Sequence, residues 1–144
     1  MPVTLPWDAL RNAGDLPSPV LLIDEARMEA NLAAMLRVAG DPARLRPHLK
    51  THKLPQLVRR QAQLGINKAK VATVAEAEMA AGAGATDITL STQPVGPNAA
   101  RFVALIRAFP SVAFSTIADD PGAVDVLARV AAEAGVVVEV LVDL

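Results

Sequence analysis

Lys70-Val71-Ala72-Thr73-Val74-Ala75-Glu76 is the stretch on which the fold turns. Lys70–Thr73 is a strand candidate. Thr73-Val74-Ala75-Glu76 has the spacing of a capping box, in which a threonine and a glutamate three positions later satisfy each other's backbone N–H groups. That spacing predicts a helix to about Gly82, followed within a few residues by another strand, Asp87–Ser91. Strand, helix and strand in such close order make a right-handed βαβ unit with parallel strands.

The order repeats on both sides of this stretch. Toward the N-terminus, Val20-Leu21-Leu22-Ile23 reads as a buried strand stopped by Asp24, a good helix N-cap. Met28, Leu32, Met35 and Leu36 then form one apolar helical stripe ending near Gly40-Asp41-Pro42. Leu45–Lys50 is a short strand candidate, and Pro55 opens a helix through Leu57, Val58 and Leu64 that Gly65 closes. Toward the C-terminus, Pro97-Asn98 introduces a helix whose Phe102, Ile106 and Phe109 share a face; Pro110 ends it, and Val112–Phe114 is the next strand. Asp120-Pro121 caps a helix carrying Val124, Leu127, Ala128 and Ala131, and Gly135 leads into the most hydrophobic strand, Val136–Val142. The pattern implies a parallel sheet, doubly wound or closed into a barrel, and does not choose between them. A final strand with no helix after it is the pattern expected of a fragment, because parallel sheets are covered on both faces.

Composition narrows the function classes. The 144 residues are 52% hydrophobic with a net charge of −1, which fits a globular protein and gives no electrostatic footprint for nucleic acid. There are no cysteines, so neither disulfides nor thiolate metal sites are available, and a cytoplasmic location is expected. The longest apolar runs, Val20–Ile23 and Gly135–Val138, fall far short of the ~20 residues that span a bilayer. Pro2, Pro6 and Asp8 stand where a signal peptide would be basic and then apolar. Gly82-Ala83-Gly84 follows a helix rather than a strand, so it reads as a helix terminator and not as a dinucleotide loop.

The densest chemistry is Arg46-Pro47-His48-Leu49-Lys50-Thr51-His52-Lys53, which holds both histidines at the C-terminal end of a predicted strand, where parallel α/β folds build their sites. Alternation puts His48 and Lys50 on one side and Leu49 on the other. A lysine among other cations is disposed to lose its proton and attack an aldehyde. The competing reading is a solvated basic loop in which these charges only face water. His48 and His52 are four apart, but Pro47 and the strand deny them a helical face, so no metal pair is expected here.

This stretch resembles the Arg-Pro-His-x-Lys-Thr-His-Lys motif of the D-threonine aldolase and D-serine dehydratase group, a branch of the alanine-racemase-like pyridoxal-phosphate (PLP) enzymes. Pro19–Asp24 with Asn31 is similar to that group's opening segment. Ala72–Glu78 is similar to its second barrel strand and helix start, and Gln93-Pro94-Val95-Gly96-Pro97 to the loop after the third strand.

The resemblance implies a (β/α)8 TIM barrel of the alanine racemase N-terminal type, present here in part. About five parallel barrel strands would end near Lys50, Thr73, Ser91, Ser115 and Asp143. Residues 25–144 would form the partial PLP-binding barrel, and residues 1–24 would carry a strand of a β domain otherwise absent from this chain. Lys50 would carry the cofactor as a Schiff base. His48, Thr51, His52, Thr73 and Gln93 would line the cofactor pocket, although Thr73 reads equally as an N-cap and Glu76 as its partner.

The activity implied is lyase cleavage of D-3-hydroxy amino acids to glycine and an aldehyde. The alternatives are a D-serine dehydratase-like or racemase reaction, a truncated PLP-binding piece that turns nothing over, and a small doubly wound domain unrelated to PLP. The resemblance also implies a homodimer and a divalent metal, Mn, Mg or Zn, bound in the full-length enzyme only, with no metal ligand in this chain. The fragment alone is expected to be inactive.

Overall fold

The computed structural model describes residues 10–142. It contains four strands, β1 (Lys68–Val71), β2 (Asp87–Leu90), β3 (Ala113–Ile117) and β4 (Glu139–Leu141). The helices are α1 (Glu25–Ala39), α2 (Pro55–Gln63), α3 (Val74–Gly82), α4 (Pro97–Ala108) and α5 (Pro121–Ala134). All the strands are parallel, in the spatial order β1-β2-β3-β4. A doubly wound sheet reverses its strand order at a switch point, whereas a barrel wall keeps sequential neighbours. The observed order is that of a barrel wall.

Helix starts follow the capping chemistry read from the sequence. The side chains of Asp24, Thr73 and Asp120 each accept a backbone N–H from the first turn of α1, α3 and α5. Proline opens α2, α4 and α5, where its missing N–H costs nothing and its fixed φ is already helical. Gly135 ends α5 in the left-handed conformation, φ 66°, which any residue with a Cβ resists.

Consecutive helices α2 to α5 pack against one another, so the crossovers all lie over one face of the sheet. That face holds the core: Ala69 and Val71 of β1, Ile88 and Leu90 of β2, and Phe114 of β3, meeting Val58, Ala77, Ala80, Phe102 and Leu105 of the helices. Phe102 and Phe114 meet edge to face, with ring centroids 6.1 Å apart and planes at 86°. A second cluster, Ala99, Val103, Leu127 and Ala131, joins α4 to α5. Alternation along each strand leaves the opposite face to the polar residues.

Three sequence expectations are corrected. Val20–Ile23 forms no strand and is 39% to 60% exposed, because none of the described residues offers it a strand to pair with. The strand expected at Leu45–Lys50 contracts to one parallel bridge, His48 to Lys70, before the chain tightens into a 3-10 turn over Leu49–Thr51. The last strand, expected over Val136–Val142, is three residues long and exposed throughout, and among the described residues it pairs on one side only. Of the five barrel strands expected, four form and the first is this single bridge. Asp143, like Pro2, Pro6 and Asp8, lies outside the described residues. Among these, no helix is long and apolar enough to cross a membrane.

Candidate active site

The 3-10 turn that carries Lys50 is fixed from below and from the side. Leu49 is fully buried in the main core, which pins the turn to the sheet. The N–H groups of His52 and Lys53 both donate to the Leu49 carbonyl, at 3.2 and 2.9 Å. Lys53 reaches this position with φ 51°, a left-handed backbone that costs a non-glycine residue roughly 1–2 kcal/mol. Lys50 stands on the outer side of the turn, exposed, with no ion pair among the described residues.

His48 and Lys50 are joined by a local bond across the 3-10 turn, and not by the strand alternation expected of them. The Lys50 N–H donates to His48 Nδ1 at 3.3 Å, and His48 Nε2 lies 3.5 Å from Ser91 Oγ. Since Nδ1 accepts a backbone proton, the neutral ring carries its own hydrogen on Nε2, facing Ser91. His52 is arranged in the same way, its Nδ1 accepting from the Leu54 N–H at 3.0 Å. Burial, and then the positive charges of Lys50 and Lys70, lower the pKa of His48; burial lowers that of His52. Both rings are therefore neutral near pH 7.

The sign of the consequence is definite. A histidine with a lowered folded pKa binds its proton more readily in the unfolded chain, so stability is full above the ordinary value of 6.5 and is lost as pH falls below it. We expect the melting temperature to drop between about pH 7 and pH 5, and the drop to shrink in His52→Gln, measured by circular dichroism. A flat profile in the unsubstituted chain would contradict half-buried, neutral histidines.

The remaining expected residues take the following places. Thr51 is exposed at the end of the turn. Thr73 spends its hydroxyl oxygen on the Glu76 N–H, 3.1 Å away, so the N-cap reading holds. Glu76, 5% exposed, reaches back one residue further than a simple capping box requires, accepting from the Ala72 N–H at 2.8 Å, and pairs with Lys53 Nζ at 3.3 Å. Gln93 uses its carbonyl to accept the Asp119 and Asp120 N–H groups, at 2.8 and 3.4 Å, tying the loop after β2 to the start of α5. Thr73 and Gln93 also line one pocket of about 270 Å³ at the C-terminal ends of the strands.

A second group of residues emerges only in three dimensions. The inner face of the sheet holds a groove of about 550 Å³ lined by Arg46, Lys70, Asp87, Thr89, Ser91 and Ser115 among others. The parallel register aligns His48, Lys70, Thr89, Ser115 and Glu139 in one row. Thr89 and Ser115 share a 2.9 Å hydrogen bond, and Arg46 grips Asp87 with two bonds of 2.7 and 2.6 Å at the N-terminal end of the strands. Ser91 links this groove to the lysine turn through His48. Period-two alternation in Lys68–Val71 and Asp87–Ser91 was the available signal, since every second residue there is polar.

No protein-family model matches the chain. Over 144 residues it is 34% identical to D-threonine aldolase of an Arthrobacter species, a match covering 99% of this chain and 36% of that protein. The chain is a relative of D-threonine aldolase. The crystal structure of D-threonine aldolase from Filomicrobium marinum superposes with a TM-score of 0.79 and 30% identity over 92% of this chain and 36% of the other. The four-stranded wall thus matches part of a TIM-barrel-like fold. D-threo-3-hydroxyaspartate dehydratase of a Delftia strain is 40% identical over 74 residues, 51% of this chain and 20% of that protein. The chain spans about a third of the length of D-threonine aldolase.

Proposed function

We propose that this chain supplies the cofactor lysine and part of the barrel of a PLP-dependent lyase of the D-threonine aldolase type, cleaving D-3-hydroxy amino acids to glycine and an aldehyde. The observation that carries the reading is Lys50 itself. It is an exposed side chain that pairs with none of the described residues, on a turn anchored by buried Leu49, beside a neutral histidine, where the first strand of the wall reaches its C-terminal end. This fits a group that must be reached by an aldehyde and held in place afterwards.

Lys50 Nζ would hold the cofactor aldehyde, while His48, which accepts the Lys50 N–H, faces Ser91 Oγ through Nε2. When bound, PLP supplies an electron sink for the bond broken at the substrate Cα. His48, neutral and oriented by the Lys50 N–H, can donate a hydrogen bond through Nε2 without adding a positive charge beside the lysine. Thr51, His52, Thr73 and Gln93 complete the proposed cofactor side, the last two from the pocket they share.

Among the described residues, no group of three or more His, Cys, Asp or Glu could hold a metal ion, so the divalent metal implied by the resemblance gains no ligands from them and enters no step here. Residues 25–144 are read as barrel and 1–24 as a segment of a β domain, in a homodimeric cytoplasmic enzyme. A dehydratase reading is favoured by the match to D-threo-3-hydroxyaspartate dehydratase; keto acid and ammonia in place of glycine and aldehyde would identify it.

The test is to add PLP to the purified chain, reduce with borohydride and locate the label by mass spectrometry. A single cofactor mass on Lys50 is expected. Label spread evenly over Lys50, Lys53, Lys68 and Lys70, or no label, would overturn the assignment.

A further inference from the structure

We propose that Glu76 is a positioning residue for Lys50, acting through its ion pair with Lys53. The inference rests on the role given to Lys50 above and extends it to a residue on a different element. Glu76 belongs to the first turn of α3, and its side chain is 5% exposed, so its carboxylate has left water and depends on its partners. One oxygen accepts the Ala72 N–H, which closes the junction between β1 and α3. The other faces Lys53 Nζ at 3.3 Å. A helix cap needs only the first contact; the second crosses to the turn that presents Lys50.

Lys53 is constrained twice. Its backbone is left-handed, at φ 51°, and its N–H closes the turn on the Leu49 carbonyl at 2.9 Å. A non-glycine residue holds such a conformation only where its surroundings over-determine it. The Glu76 carboxylate is the tertiary contact that does so, because Lys53 is otherwise exposed, 63% of its side chain facing solvent. Lys50 lies between two fixed points of this turn, the His48 ring that accepts its N–H and the Lys53 that Glu76 anchors. Removing the anchor leaves Leu49 and the single His48 bridge to hold the turn, and frees the Lys50 stem to sample other directions.

The experiment reads the rate at which acetic anhydride acylates Lys50, relative to Lys68 in the same molecules, by mass spectrometry. The unsubstituted chain is compared with Glu76→Gln, Lys53→Met, Lys53→Arg, the Glu76→Gln/Lys53→Met double variant, and Glu78→Gln as an exposed neighbour. The Lys50 to Lys68 ratio is expected to shift about threefold or more in Glu76→Gln and in Lys53→Met. It should return to the starting value in Lys53→Arg, and the double variant should shift no further than the larger single one. An unchanged ratio, a Lys53→Arg that behaves like Lys53→Met, or an equal shift in Glu78→Gln would overturn the proposal. Should Glu76→Gln fail to fold, the Lys53→Met and Lys53→Arg pair, both on an exposed side chain, carries the test. Acylation needs no cofactor, so this result bears on the coupling alone, while the trapping experiment bears on the role of Lys50.

Discussion

Replacing Lys50 with alanine is expected to abolish cofactor trapping by this chain and to leave its stability within about 0.5 kcal/mol of the starting value. The two halves of that statement have separate origins. The Lys50 side chain is exposed and pairs with none of the described residues, so its loss removes no buried contact. The neighbouring amines do not stand in for it. Lys53 is engaged by Glu76, and Lys68 and Lys70 belong to β1, Lys70 level with His48 and not on the turn itself. Trapping by borohydride with peptide mapping, alongside urea denaturation, checks both. Retained label at an unchanged level would show that Lys50 is not the cofactor lysine, and a large loss of stability would show that it is not the free side chain described above.

One residue earlier the expectation reverses. Leu49→Ala is expected to cost about 2–5 kcal/mol, the range for emptying a leucine site in a closely packed core. Leu49 is 0% exposed and packs in the main cluster with Val71, Leu90 and Phe102. Against a total stability of roughly 5–15 kcal/mol for a domain, that loss is a large fraction. Because Leu49 also pins the turn, trapping at Lys50 should fall even under conditions where the variant remains folded. A midpoint shift in urea equivalent to less than about 1 kcal/mol would mean that the turn is not anchored through this side chain.

The contrast between these neighbours shows what could be read from the sequence. Asp24, Thr73 and Asp120 act as caps by chemistry confined to three or four consecutive residues, so their helices were legible. Leu49 is buried as an apolar residue there should be, but a 3-10 turn and not strand alternation sets it apart from Lys50. Val20–Ile23 failed for the complementary reason: a strand is defined by its partner, and apolar side chains do not supply one. The same limit shortened the first barrel strand to a bridge.

In the site, the lysine and histidines were legible because they are close in sequence. The groove was not, since Arg46 and Asp87 are 41 positions apart and Thr89 and Ser115 are 26 apart, and only the parallel register brings each pair together. Glu76 was legible as a cap; its bond to Lys53, across the end of β1, was not.

The division of the sheet into two faces has a consequence for how such a chain can change over evolutionary time. Ile88, Leu90 and Phe114 look toward the helices, and any drift there is charged against folding. Thr89, Ser91 and Ser115 alternate with them in the sequence yet line the groove, where what constrains them is the hydrogen bond each keeps and not an apolar partner. Selection on stability and selection on chemistry thus act on alternate letters of the same short strands. A lineage built on this wall can alter its groove at every second position, provided that those hydrogen bonds are kept.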